Sequence, residues 1–267
     1  MNKSIVSDWN GTIYKEVDEK KTYLNIGLAY KETLLNGVKH LSPKAVFKLI
    51  GLLKTKSKLE GIYREIKAGE ADVEEIYHVF NERVIDGLDP NIIFSSVNKL
   101  ANTAINEVDR RILSVVWAEK TGGTKTGILS AAWERSIIMI LNAVKYNYKI
   151  NPFDYEDIVG DKLAYNSNGT AKCFLLRTYG RKGYFLEDEF ARKRGFKNII
   201  YFGDTEDDLS CFDYVTSNNG KAVLPFLLIE RQKENQKVVD FVNLCTSKYN
   251  AFVPKDEDDL AKFLKCY

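Results

Sequence analysis

The chain opens on a short run, Ser4–Asp8, that reads as a buried strand, and Trp9-Asn10-Gly11-Thr12 behind it has the residues of a turn. From about Lys20 to Ala104 the pattern becomes helical. Ser42-Pro43 supplies an N-cap and a first-turn proline, after which Val46, Ile50 and Leu53 recur at helical spacing. Asp72 with Glu75 resembles a capping box, and Val73, Ile76, Tyr77, Phe80 and Val84 form one apolar stripe that stops before Gly87. A further helix is predicted over Asn106–Lys120, followed by a Thr121-Gly122-Gly123-Thr124 connector. The apolar run Gly127–Leu129 then reads as a strand ending at Ser130, with a helix over Ala131–Asn142. Ile158–Tyr165 and Ala171–Arg177 flank Asn166-Ser167-Asn168-Gly169 as a hairpin, and Asn198–Phe202 is a strand running into Gly203-Asp204. Ala222–Leu228 and Ala251–Val253 are later strand candidates. Strand and helix signals that alternate in this way predict an α/β fold with a doubly wound parallel sheet. The simplest layout is a core of residues 1–15 and 106–267 interrupted by an all-helical domain over residues 16–105.

Composition narrows what such a fold does. Among 267 residues, 39 Lys+Arg against 37 Asp+Glu give a formal charge of +2, which argues against a dedicated nucleic-acid or polybasic membrane binder. With 45% hydrophobic residues there is material for a packed core. The longest apolar stretch, Ile137–Leu141, is far too short to span a bilayer, and the start of the chain is unlike a signal peptide, so the expected location is the cytoplasm. Cys173, Cys211, Cys245 and Cys266 lack metal-binding spacing. His40 and His78 are the only two histidines, so acids, bases and metal ligands are expected among carboxylates.

Three strand ends carry polar groups that a parallel sheet can bring to one crevice. These are Asp8, Ser130, and Asp204 with Asp207 and Asp208. Carboxylates gathered there repel one another and call for a hard cation, for which Mg²⁺ suits oxygen ligands. A cation attracts phosphate, and Ser130, placed before a predicted helix, suits an anion at the helix N-terminus. Lys182 could add a fixed positive charge.

These residues resemble the motifs of the haloacid dehalogenase superfamily of phosphohydrolases, in that family's order: Asp8-Trp9-Asn10-Gly11-Thr12, Ser130, Lys182, and Gly203-Asp204-Thr205-Glu206-Asp207-Asp208. The segments Ala68–Glu75 and Glu82-Arg83-Val84 are similar to the phosphoserine-phosphatase-like branch, whose helical cap is inserted between the first two motifs. The resemblance implies that Asp8 is the nucleophile of an aspartyl-phosphate. It implies that Asp8, the Asn10 carbonyl, Asp204 and Asp208 hold Mg²⁺, and that Ser130 and Lys182 hold the phosphoryl group. Thr12, Ala131, Arg83 and Glu16 are then substrate contacts. The implied substrate is a small phosphorylated metabolite, with no nucleic-acid or membrane partner; the sequence does not give the oligomeric state.

Two positions depart from the family pattern. Most family phosphatases carry a second Asp two residues after the nucleophile, as the acid that protonates the leaving group. Here that residue is Asn10, which cannot transfer the proton, a contribution typically worth roughly 10²–10⁴-fold. Three readings stay open: hydrolysis with water or another group as acid, a residue altered at that position, or a regulatory protein that binds phosphate compounds without efficient turnover. A phosphotransferase using the same aspartyl-phosphate is a further alternative. In the cap, Glu16 falls one position early for the branch's substrate-binding Glu, whereas Arg83 falls where the branch has an Arg that pairs with a substrate carboxylate.

Overall fold

The computed structural model describes residues 3–15, 61, 78–79, 81–87, 89–232 and 235–267. The helix predicted from Ser42-Pro43 and most of the stripe Val73–Val84 lie outside the described residues. The chain divides into two compact units: Met1–Glu16 with Ala104–Asp161 and Leu176–Tyr267, and Val17–Thr103 with Lys162–Leu175.

The first unit is built on parallel strands. β1 (Ser4–Ser7) lies between β2 (Lys125–Trp133) and β5 (Ile199–Phe202), β3 (Ile158–Tyr165) pairs with β2, and β6 (Lys221–Val223) pairs with β5. Every residue of β1 is buried, as expected of a central strand covered on both faces. From β1 the chain works outward through β2 and β3, then returns to the other side of β1 at β5. The order reverses between β1 and β5, and ligands bind in the crevice at the carboxyl ends of such a pair. Because Ser7 is in register with Phe202, the residues that follow, Asp8 and Gly203-Asp204, leave the sheet side by side.

Helices α2 (Arg110–Thr121), α3 (Glu134–Tyr148), α4 (Lys182–Phe185), α5 (Leu209–Ser217), α6 (Phe226–Arg231), α7 (Gln236–Tyr249) and α8 (Glu257–Cys266) connect the strands or follow them. Asp109 caps α2 by accepting a bond from the Arg111 N–H at 3.0 Å. Phe212 of α5 is fully buried with its ring edge-on to Tyr201 of β5 at 6.0 Å and to Tyr249 of α7 at 5.7 Å. Burying a side chain of this size contributes about 1.5–3 kcal/mol and locks the end of β5 against the helices.

In the second unit, the far half of β3 turns back through Asn166–Thr170 and pairs antiparallel with β4 (Ala171–Leu175), as the hairpin pattern predicts. Gly169 sits at φ +81°, which suits glycine at the tip. The Asn81 side chain clasps the Phe174 backbone, accepting its N–H at 2.8 Å and donating to its carbonyl at 3.1 Å. The described part of this unit therefore holds strand as well as helix, with α1 (Pro90–Ala104) lying in it up to Thr103.

Several boundaries differ from the sequence expectation. The predicted strand Ala222–Leu228 stops at Val223, and Pro225, extended at ψ 156°, starts helix α6 instead. Ala251–Val253 contributes a single bridge, Phe252 to Val223. The helix expected from Ala131 begins only at Glu134, since β2 runs on to Trp133 with a bulge between Leu129 and Trp133. Ser130 is therefore a bulge residue and not a helix cap. The cause lies in another strand, where Gly160 lets β3 approach the Ala132 carbonyl oxygen so closely that a Cβ there would come within 2.6 Å.

Candidate active site

The turn after β1 is a compact knot. Ile13 and Tyr14 N–H groups both donate to the Trp9 carbonyl, at 3.0 and 2.9 Å, and the Gly11 N–H donates to the Tyr14 carbonyl at 2.8 Å. The Trp9 ring stacks on Tyr14 with centroids 5.8 Å apart. Gly11 adopts φ +72°, and a Cβ there would lie 2.0 Å from Asp204 Oδ2, so this glycine both permits the turn and makes room for the second acidic strand end. Asn10 is half-buried within the knot.

Asp8, Asp204 and Asp208 are buried, and each offers a carboxylate oxygen within 4.8 Å of the others. Lys182, also buried, donates to Asp208 Oδ1 at 2.7 Å and lies 3.0 Å from Asp8 Oδ2 and 3.4 Å from Asp207 Oδ2. Asp207 accepts the Gly180 N–H at 2.8 Å and stands outside the group of three. Asp208 is a structural hub: its Oδ2 accepts the Asp204 and Thr205 N–H groups at 3.0 and 3.1 Å and the Thr205 hydroxyl at 3.1 Å, while Tyr201 donates to its Oδ1 at 2.8 Å. Gly203 makes this fold-back possible, since a Cβ there would sit 2.6 Å from the Asp208 Cβ. Asp204 accepts the Thr12 hydroxyl on Oδ1 at 2.8 Å and the Arg231 guanidinium on Oδ2 at 2.7 Å. Asp8 Oδ1 is buried and has no partner.

The electrostatics follow from this crowding. Burial pushes the Asp8 carboxyl upward, against the pull of Lys182, and the Asp208 charge adds to the rise. Burial also raises Asp204, with repulsion from Asp8 and Asp208 outweighing Arg231. For Lys182, burial alone would lower the pKa, but Asp208, Asp8 and Asp207 together hold the ammonium charged. The buried carboxylates of Asp8, Asp204 and Asp208, with oxygens within 4.8 Å of one another, fit a hard cation with oxygen ligands.

Ser130 and Thr12 are buried and Ala131 is half-buried in the bulge. The Ser130 hydroxyl accepts the Ala132 N–H at 3.3 Å, and its carbonyl accepts the Thr178 hydroxyl at 2.8 Å. Glu16 lies outside the described residues. Arg83 lies in the second unit, and its side chain is also outside them.

Sequence reasoning missed Tyr201, Arg231, Asp161 and Thr178. Tyr201 looks like any strand aromatic, and Arg231 like a surface residue at a helix end. What places Arg231 is the docking of α6 on α2, where Arg111 stacks over the Phe226 ring at 4.6 Å and pairs with Glu230 at 2.8 Å.

No family model matches the chain. Neither does any curated protein sequence. Solved structures do resemble it in fold. A protein of unknown function from Bordetella pertussis Tohama I superposes with a TM-score of 0.60 at 8% identity, over 95% of this chain and 98% of that one. Cytosolic 5'-nucleotidase IIIB bound to cytidine gives 0.57 at 14% identity, over 99% and 85%. A phosphoserine phosphohydrolase-like protein from Francisella tularensis subsp. tularensis SCHU S4 gives 0.52 at 16% identity, over 98% and 99%. The α/β architecture around the parallel sheet is thus a fold that these solved structures share.

Proposed function

We propose that the protein is a Mg²⁺-dependent phosphohydrolase that cleaves a small phosphate monoester through an aspartyl-phosphate on Asp8. The observation that carries this reading is Asp8 itself, a buried carboxylate at the sheet switch point. One of its oxygens is held by Lys182 at 3.0 Å, and the other is free of any partner. The free oxygen is the one available to form a bond to phosphorus, and the phosphoserine phosphohydrolase-like protein among the structures of similar fold supports the same chemistry.

Asp8, Asp204 and Asp208 would hold the ion, with the Asn10 carbonyl as a further ligand. A bound Mg²⁺ would offset the combined charge of carboxylates and phosphate. Asp8 attacks phosphorus, an oxygen–phosphorus bond forms, and the ester bond breaks with its electron pair leaving on the alcohol oxygen. Lys182 neutralises Asp8 and the phosphoryl oxygens, and Ser130 donates a hydrogen bond to one of them, so the chain acts by positioning and charge stabilisation. Water then cleaves the aspartyl-phosphate, restoring Asp8 and releasing phosphate. Asn10 offers no proton to the departing alkoxide, so good leaving groups that need no acid should be turned over best.

The test is phosphate release from an aryl phosphate and a panel of alkyl phosphates, with Mg²⁺ or with EDTA. Turnover of the aryl ester is expected only with Mg²⁺, and Asp8→Asn should lower it by at least roughly 10³-fold. Turnover retained in Asp8→Asn overturns the assignment. Asn10 also favours a second reading, a protein that binds phosphate compounds without turning them over. Ligand binding without phosphate release by the unmodified protein would select it.

A further inference from the structure

At the base of the β3–β4 hairpin, two adjacent residues are placed in a way the chemistry above does not use. Gly160 is pressed against the chain after Ser130, where a Cβ would lie 2.6 Å from the Ala132 carbonyl oxygen and 3.0 Å from the Glu134 nitrogen. Asp161, only 1% exposed, buries a carboxylate whose Oδ2 has no partner. Burying such a group costs free energy unless its hydrogen bonds demand it. The demand is on Oδ1, which accepts the Arg177 N–H at 2.8 Å and the Thr178 N–H at 3.2 Å, and which shares the single hydrogen of the Thr178 hydroxyl, 3.1 Å away, with the Ser130 carbonyl. A carboxylate is suited to gathering three donors, since bonds to an ionised acceptor are roughly twice as strong as neutral ones.

Thr178 is fully buried, and the same hydroxyl lies 2.8 Å from the Ser130 carbonyl oxygen. Two residues further, the Gly180 N–H is fixed on Asp207, and Lys182 follows at once. The segment that delivers Lys182 is therefore tied to Asp161 at its start and to Asp207 near its end. Through Thr178 the first tie also reaches Ser130, whose bulge rests on Gly160. The two groups read above as phosphoryl ligands, on different elements, are thereby linked through one buried carboxylate that touches neither of them.

We propose that Asp161 is a positioning residue that fixes Ser130 and Lys182 relative to each other through Thr178 and the Arg177 and Thr178 amides. This rests on the phosphate-site reading of Ser130 and Lys182. A misplacement of about 1 Å at a reacting group can cost roughly 10²-fold, so loosening this tie should be felt at a site Asp161 does not touch.

The experiment compares unmodified protein with Asp161→Ala, Asp161→Asn and Thr178→Val. It reads orthophosphate affinity by calorimetry, kcat and KM for an aryl phosphate with Mg²⁺, amide exchange at Arg177 and Thr178, and thermal unfolding. Asp161→Ala should weaken orthophosphate binding and lower kcat at least tenfold, with faster exchange at both amides. Asp161→Asn, which keeps an acceptor at Oδ1, should restore both quantities to within threefold. Equal orthophosphate affinity and kcat in the Ala and Asn variants overturns the proposal. If Asp161→Ala does not fold, Thr178→Val decides, because it keeps the two amide bonds and removes the hydroxyl that joins Asp161 to Ser130. A threefold or greater loss of orthophosphate affinity in it supports the proposal, and an unchanged affinity overturns it. If the unmodified protein binds orthophosphate but hydrolyses no ester, the phosphatase reading fails while the affinities still decide the role of Asp161. Absence of orthophosphate binding sinks both.

Discussion

The two ends of the same parallel sheet treat charge in opposite ways. At the carboxyl ends of β1 and β5, Asp8, Asp204, Asp208 and Lys182 are packed together out of solvent, and one oxygen of Asp8 is left without a partner. At the amino ends, charges stand at the rim. Lys3 pairs with Glu119 at 2.8 Å, Lys125 donates to the Arg194 carbonyl at 2.7 Å, and Lys197 is exposed. Strand geometry is the same at both ends, so it does not explain the contrast. What differs is that the switch point gives the carboxyl ends a crevice, and the chain has placed costly ionised groups there, where they add little to stability and a great deal to chemistry.

The sharpest way to break this contrast is to remove the buried positive charge. Lys182→Met leaves Asp8 and Asp208 buried without the ammonium that offsets them, and stripping one partner from a buried pair typically costs about 3–5 kcal/mol. Urea unfolding should show a loss of that order, and Mg²⁺ should recover part of it by binding the folded form. A loss below about 1 kcal/mol would mean that the cluster is not the tightly coupled unit its distances describe.

Next in size is Gly11→Ala. The new Cβ both disfavours φ +72° and collides with the Asp204 carboxylate, so the variant should lose about 1–3 kcal/mol and bind Mg²⁺ more weakly. The same change at Gly123, at φ +95° with open space around it, should carry only the backbone part of that cost. Unfolding curves of the two variants measure the difference, which is the contribution of the site's crowding.

Much of this site was legible in the sequence. Asp8 and Asp204 follow short apolar runs that could only be inner strands, and those strands form with ends in register. The hairpin was equally plain, because Asn166–Gly169 has turn chemistry between two alternating segments. The Ser130 bulge was not legible. Ala131 and Ala132 favour helix locally, and the override comes from Gly160, some thirty residues away, whose missing side chain admits the bulged strand. Arg231 and Thr178 were hidden for a related reason: each acts through a partner brought near by packing, and no local pattern marks it.

A smaller effect tests whether buried charge at the functional end opposes stability even away from the acidic cluster. Burial raises the Asp161 carboxyl to about 6, despite the Arg177 and Thr178 bonds. A carboxyl raised on folding binds its proton more tightly in the folded state. The cost of ionising it is absent below the unfolded value near 4, grows as pH rises, and is complete above about 6. Asp161→Asn escapes that cost. Its stability relative to the unmodified protein should climb between pH 4 and 6 and then level off. A difference that stays flat with pH would mean that Asp161 is accommodated without penalty.

The smallest effect is expected at the opposite end of the sheet, and it is the control that gives the others meaning. Lys3 and Glu119 are as close as Lys182 and Asp8, yet their side chains are 12% and 13% exposed, against 3% and 5% for the inner pair. Lys3 also donates to the Leu264 carbonyl, and Glu119 keeps the Thr124 hydroxyl as a partner at 3.3 Å when the lysine is gone. Water reaches both charges, so neither is stranded by loss of the other. Lys3→Met, which retains the apolar stem, should therefore cost less than about 1 kcal/mol in urea unfolding. It should leave turnover and Mg²⁺ affinity unchanged. If it proves as damaging as Lys182→Met, the distance between charges, and not their removal from solvent, governs what an ion pair is worth in this protein, and the contrast between the two ends of the sheet collapses.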